Sequence, residues 1–262
     1  MGKPAQALHR GIAKILRGTE LAMDFGRAVL NGVSLGILDR DDLQSLDYRF
    51  YSQKNMYVSD EYNLDGLFEW ERRTVHDFFP TSGVLVVLGA GGGREVIALS
   101  KQGFDVVGYE CHPKLLEAGE RLLKEKCSSG ELRSMERDRC PELPENVNGI
   151  IIGWGSYMLI QSRKRRIELL RDLRSRVSSG CPILLSFFVR TTKEWRYRVA
   201  KRVAGPFRAI LRREKVEEGD YLAPNWVHFF TKEDVEAELE AGGWKRLTFR
   251  RSPYGYAVAQ AK

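Results

Sequence analysis

Short, mostly apolar runs alternate along the chain with stretches in which apolar residues recur at helical spacing. Four of these runs are 84–88, 106–109, 148–152 and 183–188. Runs without polar alternation are typical of strands that are buried on both faces of a parallel sheet. Because helical patterns separate the runs, the sequence predicts an α/β fold, a doubly wound, mostly parallel sheet with helices on both faces.

The first 79 residues predict a helical N-terminal cap in front of a second unit, residues 80–262. Apolar residues at helical spacing fill residues 1–47, and Asn31-Gly32 predicts a helix stop among them. Residues 48–62 then crowd five aromatic side chains among polar ones. That composition suits a lid over a site more than a core.

Glycines crowd the turn that follows the first aliphatic run, at positions 89, 91, 92 and 93. A backbone needs glycines where it turns tightly and lets a ligand approach closely. The second run ends on an acid, Glu110. A dinucleotide-binding turn, G-x-G-x-x-G, would require glycine at position 94, where the chain has Arg94. The unit is therefore a strand, glycine turn, helix and strand with a carboxylate at the tip.

The run Gly89-Ala90-Gly91-Gly92-Gly93 resembles motif I of the class I S-adenosylmethionine (SAM)-dependent methyltransferases. The resemblance covers roughly residues 80–260 and implies that SAM is the cofactor. It implies a seven-stranded sheet, in which residues 247–249 and 256–258 supply the last two strands as an antiparallel pair. It implies that Gly89, Ala90, Gly91 and Gly93 pass under the methionine and ribose parts of SAM. It also implies that Glu110 holds the two ribose hydroxyls, since a carboxylate can accept two hydrogen bonds.

The same resemblance implies seven further cofactor contacts. Two residues follow Glu110 directly and are expected at the adenosine. One acid follows the third strand, where the family contacts the adenine amino group. Two residues lie in the turn after the fourth strand, where open α/β sheets bind ligands, and two belong to the lid. In that order they are Cys111 and His112, Asp138, Trp154 and Gly155, and Tyr51 and Tyr57.

The chain departs from the family two residues before the first glycine. The family often has an acid there, and this chain has Val87. A contact to the ammonium group of SAM is therefore expected from elsewhere, either from Glu95 or from the N-terminal segment.

Methyl transfer from a sulfonium is an in-line displacement, so positioning and desolvation can supply much of the catalysis. A general base is needed only where the acceptor holds its proton tightly. The candidates are His228, Tyr157 and Glu71. Each of the first two has a structural alternative, because His228 could bond a neighbouring carbonyl and Tyr157 could fill the cleft. The cysteines and histidines lack metal-ligand spacing, so no metal site is predicted.

Composition places the chain among ordinary globular proteins, with 262 residues, 43% hydrophobic content and a formal charge of +7. No stretch predicts a membrane span or a signal peptide. The four cysteines predict free thiols in a reducing cytoplasm, which is the expected location. Basic residues concentrate at 163–176 and 193–215.

The identity of the methyl acceptor stays open at this level. The fourth strand leads into Gly153-Trp154-Gly155-Ser156-Tyr157 rather than the Asn/Asp-Pro-Pro-Tyr/Phe signature of adenine-N6 and glutamine enzymes. The first hypothesis is an enzyme that methylates an O or N atom of a small molecule or small peptide. An insert at 191–220 would help to build its pocket. Arg196, Arg198 or Arg202 reaching into that pocket would favour an acidic acceptor, whereas the same side chains pointing outward along an open groove would favour a polymer-directed enzyme.

Two other functions, and a homo-oligomeric assembly, stay open beside the small-molecule methyltransferase hypothesis. An RNA- or protein-directed methyltransferase would use the basic insert to hold its polymer, since basic patches attract phosphates. The second alternative is not an enzyme: a protein with the same fold that binds the cofactor or a partner but transfers no methyl group. The N-terminal helices could also support a homo-oligomer.

Overall fold

The computed structural model describes residues 3–190, 194–222 and 224–262. Its helices are α1 (Lys3–Ile37), α2 (Arg40–Gln53), α3 (Asp60–Leu64), α4 (Glu69–Phe78), α5 (Arg94–Ser100), α6 (Pro113–Glu125), α7 (Arg163–Ser175), α8 (Trp195–Ile210) and α9 (Lys232–Ala241). Its strands are β1 (Val84–Leu88), β2 (Asp105–Glu110), β3 (Glu131–Ser134), β4 (Val147–Ile152), β5 (Pro182–Val189), β6 (Asp220–Leu222), β7 (Trp226–Phe230), β8 (Trp244–Arg250) and β9 (Gly255–Ala261).

The strands form one twisted sheet that confirms the predicted fold class. Strands β3, β2, β1, β4 and β5 lie side by side in that order and run parallel. Strand β9 pairs antiparallel with β5, and β8 pairs antiparallel with β9. These are the seven predicted strands. Two short strands were not predicted: β7 runs parallel to the last two residues of β5, and β6 pairs with β7.

Each face of the sheet carries its own apolar cluster, as a doubly wound sheet requires. Alternate residues of β1 divide between the clusters, because successive side chains of a strand point to opposite faces. Val86 and Leu88 join the cluster under α7 and α9. Leu85 and Val87 join the cluster under α4, α5 and α6. This arrangement leaves the carboxyl ends of the parallel strands along one edge, where the site lies.

The predicted helix stop at Asn31-Gly32 is wrong, because α1 continues to Ile37. Gly32 and Gly36 lie where α1 crosses α8 at close range. A Cβ on Gly32 would come within 2.6 Å of the Ala200 carbonyl oxygen, and one on Gly36 within 2.8 Å of the Phe207 side chain. The glycines therefore serve close helix packing instead of ending the helix.

The remainder of the cap lies over the edge of the sheet. Asp39 caps α2 in a capping box with Asp42, each bond measuring 2.9 Å. The predicted lid, residues 48–62, comprises the end of α2, a 3₁₀ turn and most of α3. The boundary between cap and sheet domain at residue 79 stays a prediction. Of the predicted insert, α8 is described, whereas Thr191–Lys193 lie outside the described residues.

Among the described helices, none alone has the length and apolar character to cross a membrane. The segment Ile12–Ile37 and α2 reach those limits only as a pair, and they meet at an angle of 116°. All four cysteines are free.

Candidate functional site

A cavity of about 780 Å³ lies at the carboxyl edge of the parallel strands, beneath the N-terminal cap. The turn after β1, the end of β2 and the turn after β4 form one side. Residues of α2, the 3₁₀ turn and α3 form the roof, and β6, β7 and the end of β5 close the far side. Ligands of open α/β sheets bind at this edge.

The glycine turn gives the cavity its floor. Gly89 and Gly91 have φ of 67° and 56°, in the left-handed region that favours glycine. A Cβ on Gly91 would meet no protein atom within 4 Å, so this residue is open towards the cavity. A Cβ on Gly92 would instead come within 2.5 Å of the Tyr57 carbonyl oxygen. The turn therefore presents bare backbone to a ligand and also contacts the lid closely.

Glu110 ends β2 with its carboxylate fixed by backbone amides. Gly91 N–H donates to its Oε2 at 2.7 Å, and His112 N–H donates to its Oε1 at 2.7 Å. Each oxygen keeps a second lone pair, because a carboxylate offers about four acceptor sites. The carboxylate is thus held in one orientation at the cavity wall and can still accept two hydroxyl groups.

The cavity brings together all but one of the residues that were expected at the cofactor. Gly93 is the exception, because it lies at the N-terminus of α5 with φ of 90° and does not border the cavity. The residues that do line it are Gly89, Ala90, Gly91, Glu110, Cys111, His112, Asp138, Trp154, Gly155, Tyr51 and Tyr57. Their individual contacts with a cofactor stay predictions.

Two of these residues also tie the cap to the sheet domain. The His112 ring stacks on Tyr48 with centroids 4.4 Å apart, and its Nε2 lies 3.1 Å from the Ser52 hydroxyl. Asp138 accepts a hydrogen bond from the Arg40 guanidinium at 3.1 Å. His112 and Asp138, which are expected beside the adenosine, are therefore held in place by residues of the N-terminal cap.

The chemistry of these residues suits SAM. A turn that exposes the Gly91 backbone suits the close approach of the cofactor. The oriented carboxylate of Glu110 suits a ribose with two free hydroxyls, and Leu115 and Met135 add apolar surface to the same cavity.

Comparison with solved structures supports this architecture. A SAM-dependent methyltransferase from Methanosarcina mazei superimposes with a TM-score of 0.58 at 15% identity, covering 75% of this chain and 98% of that one. A TehB-like SAM-dependent methyltransferase from Corynebacterium glutamicum gives 0.54 at 13% identity, covering 82% and 98%. The CcbJ methyltransferase from Streptomyces caelestis gives 0.55 at 11% identity, covering 73% and 88%.

The chain has the class I SAM-dependent methyltransferase fold. No protein-family model and no curated protein sequence matches it. The likeness therefore identifies the fold, and the chemistry has to be argued from the residues of the site.

In this methyltransferase fold, Glu95 occupies a position that could replace the acid missing at Val87. Its Oε1 accepts from Arg94 at 2.7 Å and from the Trp154 backbone N–H at 3.3 Å. Its Oε2 makes no hydrogen bond within the described part of the chain, and the side chain lines the cavity next to the glycine turn. Val87 itself is fully buried in the sheet.

Tyr157, expected as a catalytic candidate, does not reach the cavity. Its side chain is fully buried, its hydroxyl donates to Glu238 Oε2 at 2.7 Å, and its ring stacks on Phe230. Arg166 binds the same carboxylate from 2.8 Å. The catalytic hypothesis for Tyr157 is corrected to a structural role, because its one polar atom belongs to a buried ion-pair network.

His228 faces away from the cavity for a reason of strand geometry. It lies in β7, where its neighbours Val227 and Phe229 line the cavity. His228 is 2% exposed, and its Nδ1 lies 2.7 Å from Asp220 Oδ1. Together with Glu217 these side chains place three metal-ligand atoms within 4.8 Å. The Glu217 carboxylate already pairs with Arg166, so the cluster is accounted for as a buried ion-pair network.

Glu71 likewise lies outside the cavity lining and has its hydrogen bonds with Arg94 and the Phe68 backbone. Arg94 donates to its two oxygens at 2.7 and 2.8 Å, and the Phe68 backbone N–H donates at 2.8 Å. Burial raises the pKa of Glu71 to about 6, against the attraction of Arg94. Such a pKa suits a general base, yet the side chain does not line the cavity. The catalytic hypothesis for Glu71 is therefore also corrected.

The sequence analysis missed a buried polar group in the cavity wall. Asp47 of α2 is fully buried; it pairs with Arg137 and accepts from the Trp226 backbone N–H at 3.1 Å. Burial raises the pKa of Asp47, and Arg137 opposes that effect. Nothing in the local pattern marks this position, because its partners are about 90 and 180 residues away.

A second missed feature is an aromatic wall at the far end of the cavity. Phe188 of β5 and Phe229 of β7 have ring centroids 5.4 Å apart, and Tyr221 of β6 lies edge-on to Phe229 at 6.1 Å. We call these three residues the aromatic wall. It depends on strands β6 and β7, which the sequence analysis did not predict.

The expected contribution of the insert to the pocket is wrong for its described residues, 194–220. Helix α8 runs along α1, and Arg196 pairs with Asp24 of that helix. Neither Arg196 nor Arg198 nor Arg202 lines the cavity.

Proposed function

We propose that this protein is an enzyme that transfers a methyl group from SAM to an O or N atom of a small molecule or small peptide. The observation that carries the proposal is that one continuous cavity holds both the Glu110 glycine turn and the aromatic wall. A volume of 780 Å³ lies in the upper part of the range of about 300–1,000 Å³ for small-molecule sites. A cofactor and a modest acceptor can therefore share it.

SAM supplies an electrophilic methyl group when bound, and the residues around it supply the positioning. Glu110 holds the ribose, and Glu95 Oε2 offers a negative charge to the ammonium group. Burial raises the pKa of Tyr51 and of Tyr57, so both phenols stay protonated and serve as neutral donors at the lid. Exclusion of water and alignment of the acceptor are the effects that accelerate an in-line displacement.

The aromatic wall favours an acceptor with a flat, apolar part. Aromatic rings pack against other rings in offset or edge-on geometry, and the aromatic wall offers faces and edges for this. The side chain of Asn225 and the Asp47–Arg137 pair are polar groups nearby that could orient an acceptor. We infer an aromatic or otherwise planar small molecule as the preferred substrate class.

This inference ranks the small acceptor above the polymer-directed alternative. The basic helix α8 lies against α1, and its described residues do not border the cavity. A polymer held by α8 would not thereby be delivered to the glycine turn.

A transfer assay with methyl-labelled SAM tests the proposal. The purified protein is incubated with separated small-molecule, RNA and protein fractions of a cell extract. We expect the label to appear in an organic-soluble small-molecule fraction. Label in RNA or in protein would support the polymer-directed alternative. SAM binding without transfer to any fraction would support the non-catalytic one.

A pair of variants then locates the acceptor. Phe229→Ala should lower turnover at least about tenfold while the Kd for SAM stays within about twofold, because the lost contact concerns the acceptor. Phe78→Ala, at a half-exposed aromatic residue at the end of α4, is the matched control and should change neither. Equal effects of both variants would contradict the assignment of the aromatic wall.

A further inference from the structure

A second pocket, of about 220 Å³, shares no lining residue with the cavity that holds the glycine turn. Its walls come from the junction of α1 and α2, from the start of α7, and from the end of α8 with the segment that follows it. Five cationic side chains line this pocket, and we call it the basic pocket. They are Arg40, Arg165, Arg208, Arg213 and Lys215.

Four acidic side chains also line the basic pocket, and each of them already has a partner within the protein. The pairs are Glu214 with Arg165 (2.8 Å), Glu217 with Arg166 (2.7 Å), Asp220 with His228 (2.7 Å) and Asp39 with Arg213 (3.5 Å). Because Arg166 and His228 do not line the pocket, these acids engage only two of its five cations.

Two of the other three cations have no acidic partner in the described ranges. Arg40 pairs at 3.1 Å with Asp138, which lies in the wall of the larger cavity. Arg208 and Lys215 remain, and they come from α8 and from the segment that follows it. The basic pocket therefore holds positive charge that the acids around it do not neutralise.

The guanidinium of Arg208 is only partly used by the protein. Its Nε donates to the Leu35 carbonyl oxygen at 2.7 Å, which satisfies one of the last carbonyl groups of α1. Neither Nη group makes a hydrogen bond to another described residue. Burial and the nearby Arg213 lower the pKa of Arg208. The surroundings thus disfavour its charge, and an anion beside it would relieve that cost.

Gln161, the residue before the cap of α7, adds a neutral donor to the same wall. It is 6% exposed, and its Nε2 has no acceptor among the described residues. A buried donor without a partner costs free energy, so such donors are rare in folded proteins. An oxygen atom of a ligand in the pocket would supply the acceptor that Gln161 lacks.

We propose that the basic pocket binds a phosphate group, with Arg208 and Lys215 as its charged partners and Gln161 as a neutral donor. The N–H fork of arginine matches an oxyanion, and lysine adds a point charge. Three donors from separate segments suit the several oxygens of phosphate better than the two of a carboxylate. A pocket smaller than the range of about 300–1,000 Å³ for whole small-molecule ligands suits a single group of this size.

Isothermal titration calorimetry with the full chain, in a chloride buffer free of phosphate and sulfate, tests the proposal. We expect inorganic phosphate to bind saturably at one site, and acetate at the same concentrations not to bind. Glycerol 3-phosphate is the third ligand, because tighter binding of the ester would identify an organic phosphate and tighter binding of the ion a free one. Saturating S-adenosylhomocysteine should not displace phosphate. Displacement, equal binding of acetate, or no binding of either phosphate compound would overturn the proposal.

A matched pair of lysine variants separates this pocket from general attraction to a basic protein. Lys215→Gln should weaken phosphate binding at least about fivefold, because one charged partner leaves the pocket. Lys201→Gln is the control, since Lys201 is exposed on α8, loses the same charge and does not line the pocket. Its Kd for phosphate should stay within about twofold of that of the unchanged protein. An equal loss in both variants would contradict the basic pocket as the site.

Two further variants separate binding from folding. Arg208→Gln should weaken phosphate binding at least about tenfold, although it also removes the bond to Leu35. Gln161→Leu removes a donor that has no partner in the protein, so the midpoint of denaturant unfolding should not fall while phosphate binding weakens. Unchanged phosphate affinity in Arg208→Gln and Lys215→Gln would overturn the proposal. Neither result bears on methyl transfer, because the two cavities have no lining residue in common.

Discussion

Replacing Glu110 by Gln should weaken SAM binding by roughly ten- to hundredfold. In the structure, Gly91 N–H and His112 N–H each donate to a different oxygen of the Glu110 carboxylate at 2.7 Å. An amide has one oxygen, so its NH₂ group would face one of these donors and leave it unsatisfied. The ribose would also lose charge-assisted hydrogen bonds. Bonds to charged groups contribute about 1.5–3 kcal/mol, which corresponds to this range of affinity.

Isothermal titration calorimetry with SAM and with S-adenosylhomocysteine measures the effect. Both ligands carry the ribose, so both Kd values should rise by a similar factor. Glu120→Gln is the matched control, because Glu120 lies exposed on α6 and loses the same charge. If folded Glu110→Gln protein binds both ligands as tightly as the control, the assignment of the glycine turn to SAM is wrong.

Three further predictions concern stability and the lid. Arg94→Gln should destabilise the protein by about 3–5 kcal/mol in denaturant unfolding, because two buried carboxylates lose their cation. Arg73→Gln, which breaks an exposed pair, should cost less than about 1 kcal/mol. Tyr157→Phe should cost about 1 kcal/mol and leave SAM affinity unchanged, whereas a catalytic role would appear as lost turnover at full stability. S-adenosylhomocysteine should slow hydrogen exchange in residues 48–62, and equal exchange with and without it would contradict a lid.

The sequence was sufficient for the part of the site that is built from contiguous chain. Residues 84–110 contain the strand, the glycine turn, the helix and the acid of one unit, and each property depends on neighbours in sequence. The turn needs glycine because Gly89 and Gly91 adopt positive φ. Glu110 reaches the turn because β1 and β2 pair in parallel and end together. Such relations follow from strand and helix geometry.

The catalytic candidates failed for the opposite reason, since their surroundings are assembled from distant segments. Tyr157 meets Glu238, which lies 81 residues later, and Glu71 meets Arg94 across the boundary of the cap. A pattern of residues does not reveal such partners. Asp47 was missed likewise, because only the fold brings Arg137 and Trp226 to it. For His228, one residue of strand register decides between cavity and interior.

The side chain of Arg94 distinguishes this glycine turn from a dinucleotide-binding turn, and it also holds the N-terminal cap against the turn. A dinucleotide-binding turn would have glycine there, which lets the helix approach the strand closely. Here the Arg94 guanidinium is buried and donates to Glu71 and to the Gly66 carbonyl oxygen, with the Phe68 ring 4.0 Å away. Residues of the cap are thereby fastened to the first turn of the helix that follows the glycines. The neighbouring Glu95, which we propose as the partner of the SAM ammonium group, accepts from the same guanidinium, so one side chain contacts both the cap and this carboxylate.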